Sequence, residues 1–253
     1  MSLPYKWRRT EDIAVVEANP APGEERSRMP LVGLNPVDHA DLAVRSTPPE
    51  TRRFTEIVAS EFAAAAVCCP IFFAKNADTG EFYAGALFGF ADGSPLTGGE
   101  ADQIDPFVSL DRKRAGFYIA GDHIAIDETN PRLCRTEGEP LFQSDGSPAP
   151  ALRAIQAVLT QLHAGKKETD AFIEAMMNLR LIEPIDVALS FDDGEKLSLQ
   201  GLYSIGLDGL GELDDATVLS LFRAGHLQLA YTVALSTRQL RVMAARHNAR
   251  LSR

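Results

Sequence analysis

Val187, Leu189 and Phe191 alternate with other residues, as do Leu197 and Leu199, and Asp192-Asp193-Gly194 lies between the two runs. Alternation with a period of two puts one set of side chains on one face of a strand, and an Asp-Gly step suits a tight turn. A hairpin with one buried face is predicted, pairing 185–191 with 196–203. Residues 71–75 and 82–90 flank Asn76-Ala77-Asp78-Thr79-Gly80 and predict a second hairpin. Residues 117–120 and 124–127, joined through Gly121-Asp122, predict a third, and Leu42 and Val44 a short strand. The period then lengthens. Leu152, Ile155, Leu159 and Leu162 share one helical face, and Phe172, Met176 and Leu179 resume the spacing. Gly165 lies between the two groups, so 150–180 reads as one broken helix or a helical pair. The Ala-rich stretch 54–67 predicts helix in its second half, stopped by Pro70. Asp214 or Asp215 predicts the cap of a short helix that ends at Gly225. Leu227, Ala230, Ala234, Leu240 and Met243, with Tyr231 beside them, predict one last helix over 227–247.

Strands come first, then helices, then a further hairpin and more helices. That order lacks regular βαβ alternation and predicts an α+β fold: a mixed or antiparallel sheet built from hairpins and covered by C-terminal helices. Residues 1–30 show no hydrophobic period and read as a peripheral or poorly ordered arm. Within it Ile13 to Val16 offer an edge strand and Trp7, the only tryptophan, an anchor. Residues 31–253 then read as a single α+β domain.

Composition narrows the function classes. Hydrophobic residues are 45% and charged residues 24%, which excludes global disorder. The net charge of −10 excludes a protein that coats nucleic acid, because phosphates need basic surface. Three cysteines make no disulfide framework. The uncharged, apolar run Phe62 to Ala74 is interrupted by Pro70. A spanning helix needs about 20 apolar residues, so no transmembrane segment is predicted. No apolar core follows the early charges of the N-terminus, and the expected location is the cytoplasm. A non-classical export route leaves no mark in a sequence.

Four groups of residues carry candidate chemistry. His39-Ala40-Asp41 is an HxD triplet; with His123 on a short strand it offers a two-histidine, one-carboxylate iron site. The plainer reading is that Asp41 serves a turn and His39 packs, with no metal held. Cys68-Cys69 is a vicinal pair with no charged residue within five positions, so nothing local lowers a thiol pKa. All three cysteines, Cys134 included, are expected reduced and mostly buried. Asp127-Glu128 ends a strand before a loop, a place for binding or simply a solvated strand end. From Thr237 onward there are five arginines, Arg238, Arg241, Arg246, Arg250 and Arg253, and no acid. They either favour a helix C-terminus or form a patch for an acidic partner, a membrane surface or a neighbouring subunit of a homo-oligomer. No GxSxG, P-loop, HExxH or zinc-type CxxC pair occurs.

Several stretches together resemble the SapC family of bacterial proteins, named for an association with surface layers. They are LNPVDHADLAV at 34–44, AIDETNPRL at 125–133, EGEPLFQSDGSPAPAL at 137–152 and LIEPIDVALSFDDGEKLSLQGLYSI at 181–205. The resemblance runs in order through the body of the chain, with 97–116 short and poorly matched. It implies no catalytic residue set. The expectation is a soluble, non-enzymatic accessory or binding protein of cell-surface biology, with a protein partner and no cofactor. The alternative is a metal-dependent, oxygenase-like enzyme that uses iron at His39, Asp41 and His123.

Overall fold

A computed structural model describes residues 31–97 and 107–252. The expectations for the 1–30 arm, and those for part of 97–116, lie outside the described residues. In chain order the elements are β1 (Val32–Gly33), β2 (Ala43–Val44), β3 (Phe54–Glu56), α1 (Phe62–Ala65), β4 (Ile71–Lys75), β5 (Phe82–Leu87), α2 (Leu110–Lys113), β6 (Phe117–Ala120), β7 (His123–Ile126), β8 (Leu133–Cys134), β9 (Glu139–Pro140), α3 (Pro150–Asn178), β10 (Ile182–Ser190), β11 (Lys196–Ile205), α4 (Leu207–Gly211), α5 (Asp215–Arg223), α6 (His226–Ser236) and α7 (Gln239–Leu251). Every strand pairing is antiparallel, so the class is α+β with sheets made from hairpins and helices toward the C-terminus. Among the described residues no helix is long and apolar enough to cross a membrane.

The chain forms two compact units. Among the described residues, one combines 31–49 with 110–163, and the other 50–97 and 107–109 with 164–252. The first unit holds two three-stranded sheets, ordered β1-β7-β6 and β8-β2-β9. Phe117, Ile124 and Ile126 from the first sheet pack with Leu42, Val44, Leu141 and the apolar face of α3 at Leu152, Ile155 and Leu159. Pro150 opens α3, where its missing N–H costs nothing because the first amides of a helix have no intrahelical partner.

The second unit is built on a five-stranded sheet, ordered β10-β11-β4-β5-β3. Its central strand β4 explains the apolar run at 71–74. Ile71 and Phe73 face a cluster that contains Phe172, Met176, Ala230 and Val233. Phe72 faces the opposite way, with Leu87, Leu199 and Met243. A strand covered on both faces needs no polar alternation. The hairpin β10–β11 has the register Val187↔Leu199 and Leu189↔Leu197, with an irregularity between Ile185 and Val187. Leu199 is buried and Val187, Leu189 and Leu197 are half-buried against the Phe72 cluster, the face that alternation assigned them.

Two local expectations are corrected by packing. Gly165 does not break α3, which runs unbroken from Pro150 to Asn178. A Cβ at Gly165 would lie 2.7 Å from Val58 Cγ2, so this glycine lets another segment approach the helix. Thr169 secures that approach: its hydroxyl donates to Gly165 O (2.6 Å) and accepts from the Ala59 amide (2.8 Å). In 54–67 the helix falls in the second half, as expected, as the four residues of α1, while Phe54–Glu56 pair with β5. The last helix is two helices. Around Thr237 the amides of Arg238, Leu240 and Arg241 each bond three residues back, a tighter pitch than α. Ser236 and Thr237 donate their hydroxyls to Val233 O and Ala234 O, a back-bonding that bends helices, and Ser236 Oγ also accepts the Ile71 amide of β4.

Candidate functional site

In the first unit β2 is the middle strand of the β8-β2-β9 sheet, and the loops around it carry a polar cluster. Asn35 starts it. Its side-chain oxygen accepts the amides of Val37 and Asp38 (3.0 and 2.9 Å), and its carbonyl accepts the amide of His39 (3.2 Å). This Asx turn folds the His39 ring back into the protein, where only 2% of its side chain is exposed. The Asn35 amide donates to His39 Nδ1 (3.2 Å), and Nε2 faces the Glu128 carboxylate at 3.5 Å. Nδ1 also lies 3.2 Å from Asn35 O, so the tautomer decides whether it accepts from the amide or donates to the carbonyl. A second Asx turn aims Glu128: buried Asp127 accepts the Thr129 amide (2.9 Å) and hydroxyl (2.6 Å), leaving the next side chain 47% exposed. Arg135 joins the network by pairing with Asp41 and standing 3.8 Å from Glu128.

Beside it, Arg45 donates to Pro131 O (2.8 Å), pairs with Glu137 and reaches Cys134 Sγ at 3.4 Å. The Cys134 thiol is lowered to about 7, first by the Thr136 hydroxyl, then by the amides of Thr136 and Glu137, with Arg45 adding positive charge. Cys134 is partly exposed, contrary to the expectation that all three cysteines are buried; the loop after β8 leaves it at the surface. Because the thiolate is the nucleophile, alkylation of Cys134 by iodoacetamide is expected to be half-maximal near pH 7 and to slow as the pH falls below it. A midpoint at the ordinary thiol value, above pH 8, would show that these hydrogen bonds do not form in solution.

The cluster is assembled from two regions far apart in sequence, 35–45 and 127–137, and the β2 pairings to β8 and β9 hold them together. The SapC family model matches residues 34–243. The chain belongs to the SapC family. No curated protein matches the chain, and no solved structure does.

Within this SapC chain the residues singled out from sequence divide. His39, Asp41 and Glu128 enter one network through Arg135. His123 faces Asp122 instead, at 2.9 Å. Among the described residues no group of three or more His, Cys, Asp and Glu side chains is placed to hold a metal ion. Asp127 shapes its own turn, so the Asp127-Glu128 pair is one structural acid and one surface acid. Arg238 and Arg241 are exposed at the start of α7. Arg246, one of the arginines offered for a patch, is half-buried and donates to Leu96 O (2.8 Å), and Arg250 donates to Pro95 O (2.7 Å) and Ser94 Oγ (3.3 Å). These two fasten α7 to the 94–96 loop. Sequence reasoning missed Arg45, Cys134 and Arg135, since no spacing links them to the HxD triplet. Asn35, inside LNPVDH, was the one legible signal.

Proposed function

We propose that this SapC-family protein is a non-enzymatic accessory or binding protein of bacterial cell-surface layers, acting from the cytoplasm, with the His39, Asp41, Glu128 and Arg135 cluster as its recognition surface. One observation carries the reading. Two of the stretches that carry the family resemblance, 34–44 and 125–133, supply His39, Asp41 and Glu128, Arg135 follows just after the second, and together they bring charges of both signs rather than a nucleophile with its base. Arg135 presents a planar donor fork suited to carboxylates, and Glu128 and Asp41 beside it favour a partner with alternating charge. On the second unit the exposed Arg238 and Arg241 offer a separate surface for an acidic partner.

The test is co-sedimentation of the purified protein with the surface-layer protein of its host. Binding is expected to weaken as salt rises, and Arg135→Glu is expected to weaken it at least tenfold, by about 1.4 kcal/mol or more. No sedimentation of the wild type, or equal binding by the variant, would overturn the proposal. The runner-up, an iron-dependent oxygenase on His39, Asp41 and His123, is decided by the metal content of the same protein purified without chelator. Stoichiometric iron lost on His39→Ala would establish it in place of the binding reading.

A further inference from the structure

Cys68 and Cys69 lie in the second unit, at the turn that joins α1 to the central strand β4. Their sulfurs are 3.5 Å apart and neither is bonded to the other. The amides of both residues bond to Ala65 O (3.0 and 2.7 Å), which fixes the backbone of the pair. The turn stands at the edge of the core: Val67 is 60% exposed, Cys68 is 7% exposed and Cys69 is fully covered.

We propose that Cys68 and Cys69 are a modification site, a vicinal dithiol that hydroperoxides convert reversibly to a disulfide. The arrangement supplies an attacking and a resolving sulfur in contact. Either thiol can donate to the other; with Cys69 as the donor, this bond, the Phe107 backbone and the charge of Arg246 lower the Cys68 thiol to about 7 while Cys69 is pushed up. Cys68 is the sulfur nearer the surface and so the one placed to meet a peroxide from solvent. The Cys68 thiolate attacks one peroxide oxygen, the O–O bond breaks, and the departing hydroxide takes the Cys69 proton to become water. The Cys69 thiolate then attacks the Cys68 sulfenic sulfur, the S–O bond breaks, and that hydroxide takes a proton from solvent. The two sulfurs lose two electrons and one hydrogen peroxide becomes two waters. Consecutive Cα atoms are about 3.8 Å apart, below the usual disulfide span of about 4.4–6.8 Å, so the product is strained and readily reduced by thiols. Closure acts on the entry to β4, where Ile71 donates to Ser236 Oγ (2.8 Å) and Pro70 O accepts from Leu87 (2.9 Å).

The experiment uses the wild-type protein and needs no core substitution. Hydrogen peroxide is added to the native protein until Cys134, the exposed thiol, is consumed. The protein is then denatured, alkylated and digested with trypsin. The peptide 54–75 contains both cysteines and no methionine or tryptophan, so its mass reports on these thiols alone. The expected result is a peptide that lacks two hydrogens, takes up no alkylating reagent, and recovers both thiols after dithiothreitol. A peptide still alkylated at both positions once Cys134 is consumed would overturn the proposal, as would one that had gained oxygen.

Discussion

Replacing Phe172 by alanine is expected to destabilise the second unit by about 3–5 kcal/mol, the usual cost of deleting a buried aromatic ring. Phe172 is fully buried, and its ring meets Phe62 (6.0 Å, edge-on), Phe73 (6.1 Å) and the His226 imidazole (5.7 Å). These partners come from α1, β4 and α6, so one side chain of α3 ties together the elements on that face of the five-stranded sheet. The cavity left by an alanine cannot close, because Phe73 is fixed by the sheet and Phe62 by the turn at α1. Alkylation of Cys69, which is buried in the same cluster, reports the opening of this unit. The urea midpoint for Cys69 labelling should fall sharply in Phe172→Ala. A change worth less than about 1 kcal/mol would mean that the ring packs loosely.

The second large effect is expected at Gly138, in the loop between β8 and β9. Its φ is +113°, which side-chain-bearing residues rarely adopt, and a Cβ there would lie 2.7 Å from Val44 O and 2.8 Å from its carbonyl carbon. Gly138→Ala therefore carries about 1–3 kcal/mol of backbone strain and, because the obstacle is the backbone of β2, about 1–3 kcal/mol more of overpacking. β2 moving away would loosen its pairs Ala43↔Cys134 and Val44↔Glu139. The readout is twofold. The first unit should unfold at lower urea, and Cys134 alkylation should shift toward the pH of an ordinary thiol as its hydrogen bonds are lost. An alanine variant with wild-type values for both would show that the loop has another conformation available.

The α+β class and most elements were legible because they rest on local pattern. Alternation at 187–191 and 197–199 set the faces of β10 and β11, and the Asp-Gly step placed their turn. Asp214 caps α5 by accepting the Thr217 amide (3.0 Å), and Gly225 ends the run with φ +75°. Expectations failed where a distant segment decided. Gly165 signals a break when read alone; only the approach of Val58 makes it a packing residue inside a straight helix. Ser236 and Thr237 sit in an otherwise even helical pattern, and it is the Ile71 amide, far away in sequence, that occupies Ser236 Oγ where the helix bends.

The candidate site divides the same way. The sequence alone determined the family stretches, the HxD triplet, the acidic pair Asp127-Glu128, the vicinal cysteines and the arginine-rich end, because each is a matter of residues adjacent or near in the chain. Only the tertiary structure decided what they touch. It set His39 against Glu128 rather than His123, turned Arg246 and Arg250 onto loop carbonyls, lowered the Cys68 thiol, which has no charge nearby in sequence, and lowered the Cys134 thiol mainly through hydrogen bonds. The physical reason is range. Turn and strand preferences act over a few bonds, whereas hydrogen bonds, ion pairs and desolvation depend on distances that folding alone brings within a few ångströms.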